Sequence, residues 1–262
     1  MPCRITNQRA ILMHDIYMED PTQDYIDIWS AAGKHLTGIS QGAISWIKSD
    51  PKPPFLEHLS FRLGNQIFFL RIQDVDDAIR VPGNPDGLYA IADGYQATAC
   101  ILPMKKIGSE WCAVMPNWGL IDAHTLKPFN PVDLISSEEI EMTPWELQDF
   151  AVQVVRNHLT DQGFEIMSFN SHPGVNPSIW FVRNNIPEWV MVNYALFPAM
   201  EITTSKTIDE LLAAPSLVTN PGNKANVFIA SSAEMTNESG IPIPPYRGHA
   251  LSVRFEGLEP IN

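Results

Sequence analysis

"NPSIWFVRNNIPEWVMVN", residues 176–193, decides how this chain is read. Two apolar runs, SIWFV and EWVMV, flank the polar NNIP. Aromatic and β-branched runs around a short polar break are the signature of a β-hairpin. A long helix precedes it. Thr143 stands as N-cap, Pro144 at the first helical position and Glu146 three residues after the cap, a capping box with a proline start. Leu147, Phe150, Ala151, Val154, Val155 and Leu159 fall on one face, and Gly163 ends the helix. FEIMSFN reads as the strand between helix and hairpin. Beyond the hairpin, Thr207 with Glu210 repeats the capping-box spacing and predicts a second short helix. NVFIASS and ALSVRFE read as closing strands.

Upstream, residues 22–47 predict a helix. Trp29, Ala32, Leu36, Ile39, Ala43 and Trp46 recur at spacings of three and four, and the PKPP that follows Asp50 must stop it. Residues 57–73 predict another hairpin, its turn at Gly64-Asn65. A helix or strand is expected around Leu88–Ala92, then strands ATACILPM and EWCAVM, with PNWG as a turn. The polar, proline-bearing stretch from His124 to Met142 holds a domain boundary or a long connection. The chain shows no internal repeat and no low-complexity tract. The fold class expected is α+β. Residues 1–135 form a helix plus an antiparallel sheet, and residues 141–262 form a second α/β domain.

The chain has 262 residues, 45% of them hydrophobic and 18% charged, which suits a globular protein with a sizeable core. The net charge of −13 gives a poor footprint for phosphate-backbone binding, so nucleic acid is disfavoured and a protein partner expected. Cys3, Cys100 and Cys112 match no disulfide framework and no zinc spacing. No signal-peptide pattern opens the chain and no apolar stretch suffices for a bilayer span, so a cytoplasmic location without membrane partners is expected.

The order from Thr143 onward, α-β-β-β-α-β, resembles the core of the PD-(D/E)XK nuclease superfamily, the restriction-endonuclease-like fold. The resemblance lies in element order and covers about the last 120 residues. It implies an acid on the second strand and a Glu-x-Lys on the third that hold a divalent metal such as Mg²⁺, with a helical glutamate assisting. Hard cations take oxygen ligands, and clustered carboxylates hold the metal that activates water. In this sequence the acid's place falls at Asn176-Pro177. The third strand offers Met191 and Asn193 at the Glu-x-Lys spacing, or Glu188 with Val190 in the lysine's place. Glu146 matches the helical glutamate. The domain therefore reads as nuclease-like without a recognisable active site. Catalysis would need relocated carboxylates, with Glu165, Glu201 and Asp209 as the sources.

GISQG, residues 38–42, matches the G-x-S-x-G of a hydrolase elbow, with His249 and Asp209 as partners for Ser40. WSAAGKHLT upstream is not the apolar strand an elbow requires, so the stretch reads instead as a helix face of small residues. Trp111, Trp118, Trp145, Trp180 and Trp189 read as core. The function expected is non-enzymatic binding, without a cofactor, to a protein partner or to a second copy in a homo-oligomer. The alternatives are a metal-dependent phosphodiesterase using Glu146, Glu188 and Asp209, and a serine hydrolase using Ser40 and His249.

Overall fold

The computed structural model describes residues 21–48, 58–79, 81, 85–199, 201–202, 217, 219–232 and 234–261. The fold is α+β. Two compact units divide the chain. The N-terminal unit comprises the described part of Met18–Thr143 together with Tyr246–Gly248. The C-terminal unit comprises that of Pro144–Pro245 with His249–Asn262.

In the N-terminal unit, helix α1 spans Gln23–Ser40. The Thr22 hydroxyl caps it, accepting from the Tyr25 amide at 3.2 Å. Tyr25, Ile28, Trp29, Ala32 and Leu36 form its buried face. The helix predicted over 22–47 is in fact two elements. Gln41 turns left-handed at φ 50°, its amide reaching the Gly38 carbonyl, and Gly42 follows at φ 85°. That C-terminal turn ends the helix, and Trp46 lies instead on strand β1, Ile44–Lys48.

Strands β2, Leu59–Leu63, and β3, Gln66–Asp74, form the predicted hairpin, with Gly64 at φ 59° in its turn. Helix α2, Pro85–Gly94, then carries the chain to β4, Thr98–Ile107. Strand β5, Glu110–Ala113, and the short β6, Ile121–Asp122, both pair with β4. The sheet order is β1-β2-β3-β4-β5. The expected antiparallel sheet is mixed, because β3 and β4 run parallel. Parallel neighbours need a crossover, and α2 supplies it. Leu59, Phe61, Leu63, Phe68, Leu70, Ile72, Cys100 and Leu102 form one core cluster with the face of α1.

Asp74 closes β3 and is 2% exposed. Its carboxylate accepts from the amides of Asp76 (3.0 Å), Ala78 (2.9 Å) and Ile79 (3.1 Å). Asp74→Asn keeps the shape but removes the charge and turns one of the two accepting oxygens into an NH2 that faces an amide N–H. It is expected to cost about 1.5 kcal/mol in urea unfolding. An unchanged midpoint would show that the three amides find equal partners without the charge.

Tyr246–Gly248 reach the N-terminal unit from late in the sequence. Tyr246 bridges Glu141, and the Arg247 amide donates to the Ile140 carbonyl at 2.9 Å. The Arg247 guanidinium, buried, donates to the carbonyls of Tyr95 and Gln96, just past the end of α2.

In the C-terminal unit, α3 spans Pro144–Asp161 and buries Leu147, Ala151, Val152, Val155 and Leu159. Val152 takes the core place expected of Phe150 and Val154, which are half-buried. Gly163 at φ 80° ends the turn into β7, Glu165–Phe169. Strands β8, Ile179–Arg183, and β9, Ile186–Leu196, form the hairpin of the opening stretch. Its turn is Asn184-Asn185, both with positive φ, as a type I′ hairpin turn requires. Strand β10, Gly222–Ser231, runs parallel to β9, and β11, Leu251–Ile261, runs antiparallel to β10. The helix expected from Thr207 lies outside the described residues.

The two units share one plan. Each has an 18-residue helix, a three-residue turn, a five-residue strand and a hairpin with a two-residue turn. Each then has a strand parallel to the hairpin's second strand and one antiparallel to that. The reading of the chain as free of repeats is thus corrected at the level of topology. The helices α1 and α3 close on similar stretches of unequal length, HLTGISQG, 35–42, and HLTDQG, 158–163. Leu36 and Leu159 within them are both fully buried. The helix-strand-hairpin order behind the nuclease resemblance occurs in both units.

Candidate functional site

Setting the two hairpins side by side on their turns gives an internal reference. Leu63 pairs with Gln66, and Arg183 with Ile186, directly across each turn. Counting from there, Phe61 faces Phe68 in one unit, and Phe181 faces Glu188 in the other. On the parallel neighbour, Cys100 lies beside Leu70, and Asn223 beside Val190. Leu63, Phe68 and Cys100 are core residues of the N-terminal unit, 4%, 0% and 0% exposed. Phe68 stacks on Phe61 at 5.1 Å. Burial pushes the Cys100 thiol well up, with Asp122 adding to the shift, as suits a thiol used as a hydrophobe. The C-terminal unit has Arg183, Glu188 and Asn223 in these three places.

These three side chains form one constellation. Asn223 Nδ2 donates to Glu188 Oε2 at 3.0 Å. Arg183 Nε lies 3.6 Å from Glu188 Oε1, an ion pair longer than a hydrogen bond. The Arg183 guanidinium stands over the rings of Phe164 (5.0 Å) and Phe181 (5.3 Å). Glu188 and Asn223 are buried, while about a third of the Arg183 side chain, 34%, is exposed. Among the described residues, no group accepts a hydrogen bond from the arginine's terminal nitrogens. A carboxylate and an amide thus fix a planar cation on two aromatic rings, with its outer edge in solvent. A guanidinium held in this way can meet an anion with its remaining donors.

Residues 145–261 match a domain of unknown function, DUF8840. The match runs from the first turn of α3 to the last residue of β11, so it covers the unit that carries the constellation and under half of the chain. No curated protein and no solved structure matches the chain.

The other sequence candidates fall apart. Glu146 is buried in the first turn of α3, Glu165 and Glu201 are exposed, and Asn176 and Asn193 are half-buried. Asp209 lies outside the described residues. Among the described residues no three His, Cys, Asp or Glu side chains are grouped to hold a metal. Ser40 is the last residue of α1, with its hydroxyl donating to the Thr37 carbonyl at 3.1 Å, and His249 is exposed. The small-residue face read from GISQG is not close-packed, since a Cβ at Gly33 or Gly38 would meet nothing within 4 Å. Both glycines line an open groove of about 550 Å³ with Trp29 and Trp46. Of the tryptophans, Trp118 and Trp189 are buried, while Trp111, Trp145 and Trp180 are only partly so. No helix among the described residues is long and apolar enough to cross a membrane.

Sequence reasoning named Glu188 and missed Arg183 and Asn223. Arg183 borders a turn, where a cation normally means a solvated edge. The available signal was the pair of turn-aligned hairpins, LSFRLGNQIFF and IWFVRNNIPEW, in which Leu63 meets Arg183 and Phe68 meets Glu188.

Proposed function

We propose that this chain is a non-enzymatic binding protein and that Arg183 is its ligand-facing group. One observation carries the reading. A buried Glu188–Asn223 pair and a partly exposed Arg183 stand in the C-terminal unit where the same plan, in the N-terminal unit, is built with leucine, phenylalanine and cysteine. Desolvating an ion pair costs more than burying apolar groups of like size, so the fold has a cheaper solution and the chain itself contains it. Groups kept against that cost are kept for what they contact. The nuclease-like element order then serves as scaffold, with Glu188 engaged by Arg183. The reading places the protein in the cytoplasm, where its free thiols Cys100 and Cys112 persist. It gives the protein a partner chain, either another protein or a second copy.

The test transplants the N-terminal unit's residues: Arg183→Leu, Glu188→Phe and Asn223→Cys together. The expected result is a C-terminal unit more stable by about 1 kcal/mol in urea unfolding, the low end of what replacing an ion pair by apolar packing gives, because Arg183 is partly exposed. Destabilisation would make the three side chains structural and end the binding reading.

A further inference from the structure

We infer that the group Arg183 receives is a single carboxylate carried by a protein chain, an inference that rests on the binding reading above. A guanidinium presents its donors in a rigid planar fork that matches a carboxylate edge to edge. Here the plane is set by Phe164 and Phe181 at 5.0 and 5.3 Å. Its Nε side is turned toward Glu188 Oε1. The edge left over is the pair of terminal nitrogens, which no described residue engages. This is the geometry of a two-point contact made from outside.

Charge selects among anions. Glu188 balances Arg183, so the constellation has no excess positive charge with which to hold a dianion. The whole chain carries −13 and repels polyanions further. A monoanion that gains its affinity from paired hydrogen bonds is favoured over phosphate. The surroundings point to a protein as its carrier. Ile186 lies directly across the turn from Arg183 and is 50% exposed, and the exposed Asn184 and Asn185 complete the tip. An exposed apolar side chain across the turn from the cation suits a glutamate or aspartate flanked by an apolar residue.

The experiment follows the Arg183 Nε–Hε resonance of the full-length protein, identified by its absence in Arg183→Lys. Three probes are titrated: acetate, inorganic phosphate, and the capped dipeptide N-acetyl-leucyl-glutamate amide, with chloride as the salt control. Acetate should move the resonance saturably, and phosphate should do no more than chloride. The dipeptide should saturate at a several-fold lower concentration than acetate, and Ile186→Ser should abolish that gain. No saturable shift with acetate, or tighter binding of phosphate, overturns the carboxylate assignment. A dipeptide no better than acetate overturns the protein source. The triple transplant separates the two levels of the argument. If it stabilises the unit while acetate fails, the ligand class is wrong and the binding reading stands. If it destabilises, both fall.

Discussion

Gly222→Ala is expected to destabilise the C-terminal unit by about 3 kcal/mol, the upper range for overpacking a core. A Cβ at this position would lie 2.3, 2.6 and 2.7 Å from ring atoms of Trp189, its register partner on β9. The indole cannot swing away. It is fully buried, and its Nε1 donates to the carbonyls of Leu217 (3.2 Å) and Asn220 (3.1 Å). The N-terminal unit shows the alternative solution, since Phe69 pairs there with Ala99. A phenyl ring leaves room for a methyl where an indole does not. Trp189→Phe should therefore recover part of the loss when combined with Gly222→Ala, although it forfeits both indole hydrogen bonds. Gly33→Ala is the control. Nothing stands within 4 Å of its Cβ position inside α1, so the same substitution should stabilise by about 1 kcal/mol through helix propensity. Urea unfolding of the three variants gives the signs. A Gly222→Ala protein as stable as the parent would remove the close approach as the reason for glycine.

Arg247→Ala should have a comparable effect on the N-terminal unit, about 3 kcal/mol, because it removes two charge-assisted hydrogen bonds from a buried position. The carbonyls of Tyr95 and Gln96 that it satisfies lie 152 and 151 positions away in the chain. They follow the last turn of α2, where carbonyls have no helical partner. A cation there also meets the negative end of the helix dipole. Hydrogen exchange locates the effect. Protection should fall at the amides of Tyr95, Gln96 and Ala97, which bond back to Ile91, Asp93 and Ala92. Arg247→Lys keeps the charge but loses the fork, and should recover only part of the stability. Unchanged exchange at these three amides in Arg247→Ala would show that the strap does not hold the end of α2.

Local signals in the sequence were read well where they act over a few residues. The capping box at Thr143, Pro144 and Glu146 placed the start of α3 correctly, and Gly163 its end. Gly64-Asn65 placed one hairpin turn, and the polar NNIP bracketed the other. The helix predicted over 22–47 failed because apolar spacing continues from α1 through Trp46, while the change of direction is made by the backbone of Gln41 and Gly42. A left-handed glutamine leaves no mark in hydrophobic periodicity. The N-terminal sheet was read as antiparallel because strand direction depends on a crossover, and α2 was short enough to pass for a strand.

The sequence by itself determined the α+β class, the hairpins and the position of the long helix, since capping, turn chemistry and side-chain alternation are properties of neighbouring residues. Only the tertiary structure decided that both halves follow one plan, because β3 with β4, and β9 with β10, are paired across long connections whose residues say nothing of the partner. It also decided that Arg183, Glu188 and Asn223 meet. Their hydrogen bond and ion pair join three strand positions that the hairpin turn and the parallel register bring together, and neither register is written within any one segment.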